Sequence, residues 1–92
     1  MQPLEKIRKQ IESIDDEILK RLSERFRLAI KLSHLKTKIR DKQREKEVLF
    51  RVKRKAAELP PLRSEFSVQI FRLIIKESIS IQEQLLTQPR KF

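Results

Sequence analysis

No cysteine, glycine, tyrosine or tryptophan occurs in the 92 residues, and histidine occurs once, as His34. Without cysteine there can be no disulfide and no thiolate metal site. With one histidine, neither the usual zinc ligand sets nor a Ser-His-Asp arrangement can be assembled. The lack of glycine removes glycine-rich phosphate loops and glycine-dependent hairpin turns. Long apolar runs are missing too: only 38% of residues are hydrophobic, and no charge-free stretch approaches the roughly 18 residues needed to cross a bilayer. The first residues hold no apolar segment of the kind a secretory leader carries. The expectation is a cytoplasmic protein with no membrane contact, no metal and no cofactor, whose chemistry is left to Arg, Lys, Glu, Asp, Ser and Gln.

What the chain has in abundance is charge, with 23 Lys and Arg against 13 Asp and Glu, a net of +10. A chain this short and this charged builds only a thin core by itself, so association with a second copy is expected.

Apolar residues recur at Leu4, Ile7, Ile11, Ile14, Ile18, Leu22, Phe26, Ala29 and then Leu32 or Leu35, in the steps of three and four that mark one face of a helix. Nothing interrupts the pattern up to Arg40, and a first helix over about 4–40 is expected, roughly 50 Å long at 1.5 Å per residue. A second helix over about 42–59 carries Val48, Leu49, Val52 and Ala56 as its stripe, has Asp41 as a candidate N-cap and is ended by Pro60 and Pro61. A third, over about 62–87, carries Phe66, Ile70, Phe71, Ile74, Ile75, Ile79 and Leu85. The reading is a single all-α domain spanning 1–92 with three helices per chain, one of them long.

Polar residues interrupt the apolar faces in two places. On the third helix the seam Phe71, Ile75, Ser78, Gln82, Leu85 advances by four, three, four and three, so Ser78 and Gln82 belong on a face that is otherwise apolar. They either set helix register, as buried polar residues do in coiled coils, or point at a polar ligand held between helices. On the first helix Arg25 and Lys36 are 11 residues apart and share a face, about 16 Å apart along the axis. Arg8 lies 17 residues before Arg25, about 25 Å away and rotated by about 100°. If these three cations serve one kind of ligand, Arg8 must reach the site of a second chain. Each could equally be a solvated surface cation. Asp41, Arg44 and Glu45 occupy one helical turn, an arrangement that an N-cap and surface pairing would also explain.

Together these segments resemble the all-helical chorismate mutases, the AroQ class. Leu4-Glu5-Lys6-Ile7-Arg8 through Ile14-Asp15 is similar to the family's opening LRxxIDxID, and Leu22-Ser23-Glu24-Arg25 to its LxxR. Asp41-Lys42-Gln43-Arg44-Glu45 is similar to DPxRE, and the stretch from Ile70 to Gln82 to IFxxIIxxSxxxQ. Lys36 stands where the family places its catalytic lysine. Only four residues separate it from Asp41, where the family usually has a longer loop, and Lys38 is the alternative. Lys42 follows the aspartate in place of proline.

The resemblance implies an intertwined homodimeric helical bundle and the Claisen rearrangement of chorismate to prephenate, in phenylalanine and tyrosine biosynthesis. It implies that Arg25 and, from the partner chain, Arg8 hold the substrate carboxylates. Lys36 and Gln82 would donate to the ether oxygen, Glu45 would accept from the ring hydroxyl with help from the backbone near Asp41, and Ser78 and Arg44 would complete the polar shell. An isochorismate-pyruvate lyase shares this fold and pocket. A rival of another class is a nucleic-acid-binding helical dimer, since residues 36–55 hold ten Lys and Arg against three Asp and Glu. Against it stand the absence of Tyr and Trp for stacking and the lack of any role for Ser78 and Gln82.

Overall fold

Pro3 opens the first helix at the position where a missing backbone N–H costs nothing. The computed structural model describes residues 3–35 and 40–87, which form three helices: α1 (Pro3–Ser33), α2 (Lys42–Ala57) and α3 (Ser64–Thr87). The described residues contain no strand, in agreement with the all-α expectation.

α1 ends at Ser33, short of the expected Arg40. The reason is local competition for one carbonyl. The Ser33 hydroxyl donates to the Ile30 carbonyl at 2.6 Å, the acceptor that the His34 N–H would use in a continuing α-helix. His34 N–H turns instead to Lys31 O at 3.2 Å, and Leu35 N–H bonds Leu32 O at 3.0 Å. Such i to i−3 bonds tighten and close a helix. Residues 36–39, among them Lys36 and Lys38, lie outside the described residues.

α2 starts where Asp41, in an extended conformation, accepts from the Arg44 N–H at 3.1 Å. This is the N-cap expected from sequence, and it satisfies one of the donors a helix start leaves unpaired. The helix gives out at Ala57, where Glu58 and Leu59 continue in a turn bonded to Lys55 and Ala56 carbonyls. α3 begins at Ser64, whose hydroxyl donates to Lys53 O at 3.0 Å and pins the start of α3 to α2. Both ends fall within two residues of the expected bounds.

α2 packs along α3, and the C-terminal half of α1 also lies on α3, while α1 and α2 do not approach each other closely among the described residues. Val52 and Ala56 are buried in the α2–α3 seam. The gap left between α1 and α2, floored by α3, is a concavity of the fold. The other half of α1 stands free: residues 3–21 are exposed throughout, including the regularly spaced Leu4, Ile7, Ile11, Ile14 and Ile18. The radius of gyration is accordingly 16.9 Å, against about 12 Å for a compact chain of this length. No described helix is long and apolar enough to cross a membrane.

Candidate active site

Between α1 and α2 lies a cavity of about 370 Å³ lined by Arg25, Leu28, Ala29 and Leu32 of α1, by Asp41, Arg44, Glu45, Val48 and Arg51 at α2, and by Ile75, Ser78, Ile79 and Gln82 of α3. Six residues singled out from sequence therefore meet here: Arg25, Asp41, Arg44, Glu45, Ser78 and Gln82.

The α1–α3 wall is held by two polar contacts one helical turn apart. Arg25 Nη1 donates to Ser78 Oγ at 3.1 Å, and Gln82 Nε2 donates to the Ala29 carbonyl at 2.7 Å. Because Ser78 and Gln82 advance by four as Arg25 and Ala29 do, α1 and α3 run parallel and in step at the site. Ser78 is 8% exposed and Gln82 3%, as the seam pattern predicts. The Ser78 hydroxyl donates in turn to Ile74 O at 3.0 Å, so it is committed and serves to orient Arg25. Gln82 keeps a second amide N–H with no partner among the described residues.

Arg25 is half-buried and sits 5.8 Å from the centre of the Phe71 ring, within cation–π range. No carboxylate pairs with it among the described residues. Its pKa is held below the usual arginine value, first by burial and second by the positive charge of Arg51. A desolvated cation beside a second cation, without an acidic partner, is poised for an anion.

On the α2 side Asp41 is spent on capping, and Arg44 pairs through Nη1 with Glu47 at 3.3 Å. Glu45 accepts from Arg40 Nη2 at Oε1, 3.3 Å, while its Oε2 lies 3.2 Å from Arg40 Nε. That second contact is an ion pair without hydrogen-bond geometry, and Oε2 is buried with its acceptor capacity unspent. Three guanidinium groups against two carboxylates line the cavity. Among the described residues no group of His, Cys, Asp and Glu could hold a metal ion.

Two expected site residues are not among the described residues that line the cavity in this single chain. Arg8 lies on the free half of α1 and pairs with Glu5 at 3.2 Å. Lys36 lies outside the described residues. The cavity also contains a cation the motifs did not single out: Arg51, spaced seven residues after Arg44 and three after Val48 along one face of α2. That spacing was the available signal, hidden within a basic stretch.

Comparison with known proteins bears on this arrangement. The family model for chorismate mutase type II matches residues 7–83. A chorismate mutase of Methanocaldococcus jannaschii is 32% identical over 92 residues, covering 96% of this chain and 92% of that protein. Bifunctional chorismate mutase/prephenate dehydratases of Buchnera aphidicola and Aquifex aeolicus are 39% and 33% identical, over 86% and 92% of this chain. The chain spans only 21% and 25% of the length of those two relatives. No solved structure matches it. With a family model spanning most of its length and a relative matched nearly end to end, this all-helical chain belongs to the chorismate mutase type II family.

Proposed function

We propose that this chain is a chorismate mutase, rearranging chorismate to prephenate on the way to phenylalanine and tyrosine, as a cytoplasmic homodimer with two shared sites. One observation carries the reading: Arg25 and Gln82 are fixed side by side in the cavity by partners on the opposite helix, each with donors left over.

The rearrangement needs neither a nucleophile nor a proton transfer. One C–O bond breaks as a C–C bond forms, and negative charge gathers on the ether oxygen. An enzyme lowers this barrier by holding the compact conformer and by aiming preorganised donors at that oxygen. In our reading the second N–H of Gln82 and the ammonium of Lys36 are those donors. Arg25 and Arg8 of the partner subunit grip the two carboxylates with charge-assisted hydrogen bonds. The Glu45 carboxylate accepts from the ring hydroxyl, beside the backbone at Asp41. Ser78 holds Arg25, and Arg44 adds positive charge at the rim.

The free half of α1 supports the dimer. Its row of exposed isoleucines is the kind of apolar stripe that stable chains cover, and Arg8 shares that segment, about 25 Å from Arg25 along the axis. A second copy laying this segment across the open side of the cavity would cover the stripe and deliver Arg8 together. The unspent acceptor on Glu45 fits a substrate hydroxyl at that wall, and the assay below separates the mutase from the lyase of the same fold.

The test is loss of the ultraviolet absorbance of chorismate on adding purified protein, with prephenate identified as product and isochorismate run alongside. Conversion of chorismate to prephenate, abolished in Arg25→Ala, is the expected result. Release of pyruvate from isochorismate with no prephenate would replace the mutase by the lyase. No turnover of either would remove the enzyme reading.

A further inference from the structure

Glu45 is a wall between two cavities. One is the cavity of about 370 Å³ described above. The other, about 290 Å³, lies behind it and is lined by Arg40, Leu49, Arg72 and Lys76, with Glu45, Ile75 and Ile79 common to both. Arg40 is thus absent from the substrate side yet contacts both oxygens of Glu45, one of the two carboxylates that line it. The Glu45 side chain is 21% exposed and that of Arg40 is 59% exposed, so the carboxylate is held from its solvent side by a residue outside the helix that bears it.

We infer that Arg40 is a positioning residue for Glu45, fixing the plane of its carboxylate so that the carboxylate keeps acceptor capacity for the cavity it lines. The inference rests on the mutase reading for what Glu45 accepts. The need for such a clamp follows from the charges around Glu45. Arg44 and Arg51 line the cavity in front of it, and Arg72 and Lys76 line the cavity behind it. A carboxylate without a fixed partner would swing toward one of these. Turning forward, it would quench a cavity cation and consume its own acceptor. Turning back, it would leave the wall. The planar guanidinium of Arg40 meets the carboxylate at two points, a hydrogen bond on Oε1 and an ion-pair contact on Oε2, and so restrains its plane in a way that a single ammonium cannot. Arg40 immediately precedes the N-cap Asp41, whose bond to Arg44 fixes the chain there. The clamp is therefore anchored to the same helix start that presents Glu45.

The experiment is a double-mutant cycle on the full chain with chorismate as substrate: Arg40→Gln, Glu45→Gln and both together, with Arg40→Lys as the conservative variant. Arg40→Gln is expected to lower kcat/KM about tenfold, a typical coupling for contacting polar residues. In the Glu45→Gln background the same change should cost less than about twofold, and Arg40→Lys should recover only part of the loss. Because the pair is exposed on the arginine side, the melting temperature of Arg40→Gln should stay within about 2 °C of wild type. Equal losses in both backgrounds, or wild-type kcat/KM in Arg40→Gln, would overturn the assignment. A readout free of turnover accompanies it: the Glu45 carboxyl ¹³C resonance at pH 7 should move further in Arg40→Gln than in Arg72→Gln, which removes the same charge from the same cavity. Equal or absent movement would sink the clamp even in an active enzyme. Conversely, an inactive wild-type chain with the expected resonance shift would sink the mutase reading and leave the clamp standing.

Discussion

Gln82 donates from Nε2 to the backbone carbonyl of Ala29 at 2.7 Å, one turn beyond the contact of Arg25 with Ser78. The bond does more than join α3 to α1. An amide held by one of its two N–H groups cannot rotate freely, so the other is aimed. The Ala29 carbonyl belongs to the last stretch of α1, where the ladder gives way to the Ser33 turn.

Replacing Gln82 by Glu tests this arrangement through pH. An ionised carboxylate at a site this buried has no proton to donate to either the Ala29 carbonyl or an ether oxygen, and it adds negative charge where the reaction gathers more. The variant should lose about a hundred- to thousandfold in kcat at pH 7.5, the usual effect of removing one such donor. Acidification should restore activity as the carboxyl protonates, whereas wild type should show no such acid requirement. A kcat profile of Gln82→Glu that is flat with pH would remove Gln82 from the donor role.

Arg25 illustrates a group kept at a cost to folding. Burial and the neighbouring Arg51 hold its pKa below the ordinary value. A base whose folded-state pKa is lowered binds its proton less tightly folded than unfolded. Folding thus carries a penalty at every pH below the folded pKa, and stability rises with pH only in the strongly alkaline window above it. At neutral pH the penalty is in force, so Arg25→Met should melt at or above the wild-type temperature while losing at least a hundredfold in kcat/KM. Calorimetry beside steady-state kinetics would check both. A fall in melting temperature beyond about 4 °C would mean that the Arg25 contacts to Ser78 and Phe71 outweigh the desolvation.

Much of this site was legible in the residues alone, and what was not has physical causes. Ser78 and Gln82 betray themselves because a 3.6-residue period allows few polar intrusions on a buried face. Asp41 does so because a helix start needs an acceptor. The end of α1 is invisible to periodicity, since Leu32 and Leu35 continue the stripe, and the turn comes from a Ser33 hydroxyl capturing one carbonyl. Arg51 is camouflaged by a run of basic residues whose spacing alone does not say which of them turn toward the gap. The pairing of Arg40 with Glu45 spans five residues across an N-cap, where helical spacing rules do not apply.

Arg51 should act on substrate affinity. It lines the cavity, presses its charge on Arg25 and has no carboxylate partner among the described residues. Arg51→Glu would place an anion beside Arg25, giving that guanidinium an internal partner to compete with substrate. KM for chorismate should rise about tenfold or more with kcat changed far less, the pattern of lost ground-state binding. The rise should shrink at high salt, where an exposed charge is screened. An equal drop in kcat with KM unchanged would instead place Arg51 in transition-state stabilisation.

The proposed sharing of sites between two chains makes the sharpest quantitative prediction. Arg8→Ala and Arg25→Ala should each be inactive alone, the first because no chain can lend the missing cation, the second because each cavity lacks its own. In a mixed dimer one cavity has lost both arginines. The other combines the intact Arg25 of one chain with the intact Arg8 of its partner. Random exchange of equal amounts puts half of the dimers in the mixed form, with one working cavity of two, so about a quarter of wild-type activity should return. Sedimentation equilibrium should give twice the 11.1 kDa of the chain for each protein. A charge on the exposed stripe, as in Ile11→Lys, should shift that mass toward the monomer and abolish activity. Full activity from a monomeric Ile11→Lys chain would sink the shared site, since Arg8 of the same chain lies too far along α1 to reach the cavity.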